Sequence, residues 1–225
     1  MGPLKKRCPR LNSQNMLGAV PFWLHWVKPK KPCIGELILL KSLPDKLMYL
    51  EWDRFYLKSL PSNFCAEQIV ELHMPDSKLK KPWDGVQNLA NLKIISLCGC
   101  RNLIEIPDLS NTEKLESVFL HECVSLHQLH HVHAKSLQRL LAYGCSSLKE
   151  FSVISEEITE LNLGHTAICA LLSSIWQKRK LTILSLDNCN NLEFVGINIV
   201  HLSSLERLGL SKLTAFLWRQ TLLNS

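Results

Sequence analysis

The chain lacks several features that would assign it to a common class of protein. It has no run of roughly 18 or more apolar residues, the length that a transmembrane helix requires, so no membrane span is predicted. It has no Asn-x-Ser/Thr glycosylation sequon, and its nine cysteines cannot all pair within one chain because their number is odd. These features favour a reducing compartment, so the sequence predicts a cytoplasmic protein, with the nucleus as the alternative.

Motifs of catalysis and of cofactor binding are absent as well. The sequence contains no phosphate-binding G-x-x-x-x-G-K-[S/T] loop, no glycine-rich dinucleotide loop, no nucleophile elbow and no H-E-x-x-H zinc motif. We therefore predict that the protein is not an enzyme and has no catalytic residues, cofactor or small-molecule substrate.

The net charge of +6 is concentrated in the first 36 residues. That segment holds seven basic residues and one acidic residue, whereas the remaining 189 residues hold 19 of each sign. We interpret residues 1–36 as a basic N-terminal segment, disordered or foreign to the domain that follows. Because the rest of the chain is electrically balanced, it forms no basic groove, and no nucleic acid partner is expected there.

A short motif, L-x-x-L-x-L-x-x-[C/S/T], recurs along the chain. Its spacing of 21 to 24 residues lies within the range of about 20 to 29 that is typical of leucine-rich repeats. The fourth and sixth positions are aliphatic and alternate with polar ones, which is the period of a strand. The eight units begin at Leu47, Ile69, Leu92, Leu115, Leu137, Ile158, Leu181 and Leu205.

This repeat predicts the fold. Each short strand can bury its apolar face only against the next unit, so stacking of the units creates the core. We expect an α/β leucine-rich-repeat solenoid, shaped as a horseshoe, over residues 37–218, followed by a tail at 219–225. Short parallel strands would form the concave face. The convex segments would be irregular or briefly helical, with 83–92 and 171–178 as the candidates for helical turns.

The ninth position of each unit separates two kinds of repeat. Cys100, Cys123, Cys145 and Cys189 occupy it in four units, and Phe55, Ser77 and Thr166 in three others. Structural zinc usually requires closely spaced cysteine pairs, so cysteines at the repeat period are predicted to be buried, inert thiols. The pair Cys98 and Cys100 would share one side of a strand, which leaves a weaker metal-binding alternative open.

Histidines gather near the middle of the chain. Because histidine is the commonest metal ligand, this group is the best metal candidate in the sequence. The simpler interpretation is a solvated loop between the fourth and fifth units. The group comprises His121, His127, His130, His131 and His133.

Several segments resemble the repeat region of a known family. They are the text LPDKLMYLEW and its continuation to LKSLPSNF within 43–64, IVELHMPDSKLKKPWDG at 69–85, LIEIPDLS at 103–110 and LNLGHTAI at 161–168. They are similar to the leucine-rich repeats of plant intracellular disease-resistance receptors that carry Toll/interleukin-receptor and nucleotide-binding domains. The resemblance covers roughly residues 42–213. Because no phosphate loop is present, nucleotide binding is not carried over, and the chain resembles a truncated receptor.

The resemblance implies a module of plant defence that binds a protein through its concave face. The partner would be a pathogen-derived protein, a host immune component or the core of a receptor. One alternative is a non-functional or structural fragment of a decayed resistance gene, and another is a metal-dependent site on the histidine loop. Exposed aromatic and arginine side chains anchor protein interfaces. On that basis the predicted partner-binding patch is Phe119, His121, Arg139 and Tyr143, which lie on adjacent units.

Overall fold

A computed structural model describes residues 46–213, apart from 62–63, 84, 86, 107, 110–111, 133, 154, 172 and 193–200. The predicted basic segment 1–36 and the predicted tail 219–225 lie outside the described residues. Within them the chain forms a stack of short parallel strands with almost no helix, which confirms the predicted solenoid.

Eight of the strands form one parallel sheet in the order β1-β2-β3-β4-β6-β8-β9-β10. Each occupies the third to fifth positions of its unit, so the sheet repeats as the sequence does. The strands are β1 Tyr49–Glu51, β2 Glu71–His73, β3 Ile94–Ser96, β4 Ser117–Phe119, β6 Arg139–Leu141, β8 Glu160–Asn162, β9 Ile183–Ser185 and β10 Arg207–Gly209.

The fourth-position residues form one continuous row under this sheet. Leu50 pairs with Leu72, Leu72 with Ile95, and the same register continues without a shift to the last strand. With the apolar side chains of the sixth and ninth positions, they belong to a single core that runs through the stack. Leu208 in β10 is the exception at 40 % exposure, because no further unit stacks on β10 within the described residues.

Every unit leaves its strand through a left-handed turn at its eighth position. The φ angles there lie between 55° and 79°, a region that costs most L-residues energy and suits glycine. Only two of these residues are glycine. The eight residues at this position are Arg54, Asp76, Gly99, Glu122, Gly144, His165, Asn188 and Lys212.

The turn is held by a ladder of backbone hydrogen bonds between units. The eighth-position amide donates to the seventh-position carbonyl of the next unit, as Glu122 does to Tyr143 at 2.9 Å and His165 to Asp187 at 2.7 Å. Such bonds satisfy backbone groups that a sharp turn would otherwise leave without partners. The ladder explains how five units keep a strained conformation without glycine; Lys212, in the last described unit, adopts the same φ without such a bond.

The convex side is largely irregular, as predicted. A single turn of 3-10 helix at Ser173–Gln177 confirms the helical prediction for 171–178. The corresponding prediction for 83–92 is wrong, because the described residues of that segment form bends and turns without a helix.

The interpretation of the histidine segment as a loop is also wrong. Gln128–Val132 forms strand β5, which pairs in parallel with β7, Glu150–Val153, in a separate two-stranded sheet. Leu129 and Val132 are fully buried, so this stretch follows the core instead of standing out into solvent. The units that begin at Leu115 and Leu137 are nearly equal in length, and stacking therefore brings these equivalent segments side by side.

Candidate functional site

The third, fifth and seventh residues of each unit face away from the main core. In a horseshoe solenoid this outer face of the sheet is the concave surface. Its first two strands carry acidic residues and a tyrosine. The Tyr49 hydroxyl donates to Glu51 Oε2 at 3.2 Å, and His73 Nε2 lies 3.0 Å from Glu71 Oε2. Burial and the neighbouring carboxylate of Glu51 raise the pKa of Tyr49 above its ordinary value, so the tyrosine remains protonated.

The middle of the outer face is occupied by a second, smaller apolar group. Ile94, Cys98, Phe119 and Leu141 pack together apart from the main core, and we call them the apolar cluster. Phe119 is only 3 % exposed, so the prediction that it projects into solvent is wrong. Ser96 and Leu141 lie beside it in the neighbouring strands, and these close neighbours cover a large side chain in the middle of the sheet.

Arg139 completes the cover over Phe119. Its guanidinium carbon lies 5.3 Å from the centre of the phenyl ring, within the range of a cation–π contact. Its Nε also donates to the Ser117 hydroxyl at 3.0 Å, so the side chain is held over the ring from an adjacent strand.

The two cysteines of the C-x-C pair lie on opposite sides of the sheet. Cys98 belongs to the apolar cluster on the outer face, whereas Cys100 belongs to the main core. The left-handed turn at Gly99 reverses the direction of the chain between them, which the assumption of a continuous strand did not allow for. In the described part of the chain, no three His, Cys, Asp or Glu residues group in a way that would hold a metal ion.

Cysteines of the ninth position form the predicted row of buried thiols. The thiols of Cys123 and Cys145 donate to backbone carbonyls of the preceding unit, Cys123 to Leu97 at 3.1 Å and Cys145 to Leu120 at 3.0 Å. A hydrogen bond with Cys145 and burial raise the pKa of Cys123, and burial raises the pKa of Cys100 to about 12. Thiols of this kind are protonated and unreactive at neutral pH.

Aromatic side chains line up at the carboxyl-terminal edge of the sheet. The Tyr143 ring lies 4.8 Å from the His165 ring, edge to face, and 6.5 Å from the His121 ring. Tyr143 is 37 % exposed. The structure thus brings two of the predicted contact residues, His121 and Tyr143, into one aromatic row, and His165 extends it.

A shallow groove lies along the same edge, and we call it the rim groove. Its volume is about 590 Å³, and it follows the eighth and tenth positions of five successive units. Gly144 has no side chain, and Ser146 and Ala167 have small ones, so the groove is open there. It is lined by Arg101, Glu122, Val124, Tyr143, Gly144, Ser146, His165, Thr166, Ala167, Asn188, Asn190 and Asn191.

The last strands of the outer face are held by Asp187. Its carboxylate accepts hydrogen bonds from the Ser211 amide and hydroxyl, each at 2.8 Å, and from the Ser185 hydroxyl at 3.0 Å. Burial opposes ionisation of this group, but the hydrogen bonds from Ser211 and Ser185 outweigh it and hold the pKa of Asp187 below its usual value. A Cβ on Gly209 would lie 2.5 Å from Asp187 Oδ2, so glycine leaves room for the carboxylate.

Sequence reasoning missed most of the rim groove. The groove depends on the eighth and tenth positions, which the repeat motif leaves unspecified. One signal was available in the sequence: Asn188, Asn190 and Asn191 stand within four residues of one another. Asparagine is among the few non-glycine residues that tolerate a left-handed turn and that offer both a donor and an acceptor.

The chain is similar to known proteins that contain leucine-rich repeats. A family model described as Leucine Rich Repeat matches residues 70–87. Disease resistance protein RPS6 of Arabidopsis thaliana is 42% identical over 150 residues, which cover 56% of this chain and 13% of that protein. Disease resistance proteins RPS4B and RML1A of the same plant are 33% identical over 170 residues and 34% identical over 196 residues. These alignments cover 74% and 76% of this chain, but only 15% and 19% of the two relatives.

The matched regions coincide with the stacked units, and the chain spans less than a fifth of the length of each of these relatives. Within the described residues, no helix is long and apolar enough to cross a bilayer. The predicted resemblance is confirmed over this region: the chain is a leucine-rich-repeat solenoid whose units are similar to those of Arabidopsis disease resistance proteins.

Proposed function

We propose that the protein is a non-enzymatic recognition module of plant defence that binds another protein through the outer face of its sheet. One observation carries the proposal: on the outer face His121 and Tyr143 form an aromatic row at the carboxyl-terminal edge, and Arg139 lies over Phe119 on the same two strands. Tyrosine and arginine are enriched among residues that dominate binding energy at protein interfaces. The names of the matched relatives support a role in disease resistance.

The chemistry of the outer face supports binding rather than catalysis. Of its acidic groups, Glu51 and Glu71 accept hydrogen bonds, and Asp187 accepts three. The bonds to Asp187 favour its ionised form and lower its pKa, which makes this carboxylate a poor general base. The partner we propose is a pathogen-derived protein or a host immune component.

Several features support a folded module over a decayed fragment. The core is continuous through the units, and in the described residues no buried side-chain nitrogen or oxygen lacks a hydrogen bond. Native proteins satisfy such groups almost completely, whereas poorly specified chains leave many of them without partners. A single cooperative thermal transition of the purified 225-residue chain is the expected result, and a broad, non-cooperative melt would favour the fragment.

The free thiols of the described cysteines support a reducing compartment. Cys65, Cys98, Cys100, Cys123, Cys145, Cys169 and Cys189 form no disulfides. Disulfides are rare where glutathione and thioredoxin keep thiols reduced, so we propose a location inside the cell, in the cytoplasm or the nucleus.

Site-specific photo-crosslinking tests the recognition function. Benzoylphenylalanine would replace Tyr143 in the full chain, expressed in leaf cells with and without a pathogen. The matched control would replace Ile104, which is also exposed but lies outside the outer face and the rim groove. We expect a protein adduct at Tyr143 that is absent at Ile104. The purified adduct partner should bind the unmodified chain, and Arg139→Ala should weaken that binding. Identical adducts at both positions, or none, would contradict the proposal.

A further inference from the structure

The rim groove is electrically neutral. Its charged residues, Arg101 and Glu122, lie 3.7 Å apart and cancel one another. The other lining residues include no Lys, Arg, Asp or Glu. A site for nucleic acid or for an anionic membrane surface would need an excess of positive charge, which this groove does not offer.

The groove also carries hydrogen-bonding groups that have no partner among the residues that the structure describes. Among the described residues, no side chain or backbone group accepts from the Tyr143 hydroxyl or bonds to the carboxamides of Asn190 and Asn191. Asn188 contacts His165 at 2.9 Å, through one of its two amide atoms. A carboxamide presents both a donor and an acceptor, which complement the C=O and N–H of a peptide group.

The dimensions of the groove fit an extended chain. It crosses five neighbouring strands, which at about 4.8 Å apart span roughly 19 Å, the length of about six extended residues. Gly144, Ser146 and Ala167 leave its middle unobstructed, so a bound backbone could approach the turns closely. Tyrosine, serine, glycine and asparagine are the residues that antibody paratopes use for contact area and adaptable hydrogen bonding to proteins.

We propose that the rim groove binds an extended, uncharged segment of a partner protein, with Tyr143 and His165 packing against its side chains and Asn190 and Asn191 bonding to its backbone. The inference rests on the proposed recognition function and names a second contact region, distinct from the Arg139–Phe119 pair on the outer face.

The test variant places a side chain in the groove at a limited cost in backbone strain. Gly144 has a φ of 79°, which asparagine tolerates, and a Cβ there would meet Glu122 Cγ at 3.4 Å, an ordinary contact. Gly144→Asn therefore places a side chain in the middle of the groove. Ile104→Asn introduces the same residue at an exposed position outside it and is the matched control. Circular dichroism and the melting temperature establish that both variants are folded.

The full-length chain would be screened against a random-peptide phage library and, in parallel, against a glycan array. We expect neutral peptides to be enriched, and their Kd to rise by about tenfold or more in Gly144→Asn while Ile104→Asn retains wild-type affinity. Enriched peptides that bind Gly144→Asn normally but lose affinity in Arg139→Ala would overturn the groove and leave recognition by the outer face intact. Enrichment of glycans alone, or of acidic peptides or none, would also overturn the proposal.

Discussion

The guanidinium carbon of Arg139 lies 5.3 Å from the centre of the Phe119 ring, and the two residues belong to adjacent strands. Their roles differ although they touch. Phe119 is buried in the apolar cluster, whereas Arg139 is half-buried and keeps part of its surface in solvent. The pair therefore stabilises the middle of the sheet through the phenylalanine and presents a cation to solvent through the arginine.

Substitution of the two residues should have unequal effects on stability. Phe119→Ala removes a buried aromatic ring, and we expect the free energy of unfolding to fall by about 3 kcal/mol, at the lower end for phenylalanine because the apolar cluster is small. Arg139→Ala removes a cation–π contact and one hydrogen bond near the surface, and should cost about 1 kcal/mol. Urea denaturation followed by circular dichroism measures both changes.

The double variant measures the interaction energy between the two side chains. Because the two side chains are in contact, the sum of the single losses should differ measurably from the loss in Phe119→Ala/Arg139→Ala. A Phe119→Ala chain as stable as the wild type would mean that the ring is not packed as described. In that case Phe119 would return to the exposed contact patch that the sequence predicted.

The solenoid itself was predictable because it depends on spacing. An aliphatic at the fourth and sixth positions every 21 to 24 residues leaves stacking as the means of burying these side chains. The burial of Phe119 was not predictable, because it depends on Leu141 and Arg139 in the next strand. The left-handed turns were missed for a different reason: Glu122 and Arg54 adopt a conformation that single-residue preference assigns to glycine. Tertiary hydrogen bonds override that preference.

Thiol reactivity should separate the cysteines by position. Cys65 and Cys169 are exposed, whereas the ninth-position thiols are buried and hydrogen-bonded, with raised pKa values at Cys100, Cys123 and Cys189. Because the thiolate is the reactive species, a maleimide should modify Cys65 and Cys169, the exposed cysteines among the described residues, and spare the buried ones. Peptide mass spectrometry before and after denaturation identifies the modified sites. Equal labelling of Cys123 and Cys65 in the native chain would show that the row of thiols is open to solvent.

The raised pKa of Cys100 predicts a loss of stability at alkaline pH. The thiol titrates near 9 in the unfolded chain and near 12 in the folded one, so between these values the folded state binds more protons than the unfolded state. Stability is therefore complete below about pH 9 and falls as the pH rises toward 12. Urea denaturation at several pH values across this interval measures the free energy of unfolding. It should fall less steeply with pH in Cys100→Ala than in the wild type, since the variant lacks this thiol. Tyrosines and lysines titrate in both chains, so their effect cancels in the difference. Identical slopes would contradict the assignment.

The left-handed turns predict opposite effects for two substitutions at equivalent positions. Gly99→Ala adds a Cβ at a φ of 73°, where it would clash with Asp76 Oδ1, so we expect the free energy of unfolding to fall by about 1 to 2 kcal/mol. Adding Asp76→Ala to this variant should recover the part of the lost stability that is due to the clash and leave the part due to backbone strain.

Glu122→Gly relieves the same strain at the next unit. The free energy of unfolding should stay level or rise by up to about 1 kcal/mol, since the greater flexibility of glycine in the unfolded chain offsets part of the gain. The exposed ion pair of Glu122 with Arg101 contributes little to this balance. Urea denaturation of all three variants measures these differences. A large loss in Glu122→Gly would mean that the glutamate side chain stabilises the turn more than its backbone conformation costs.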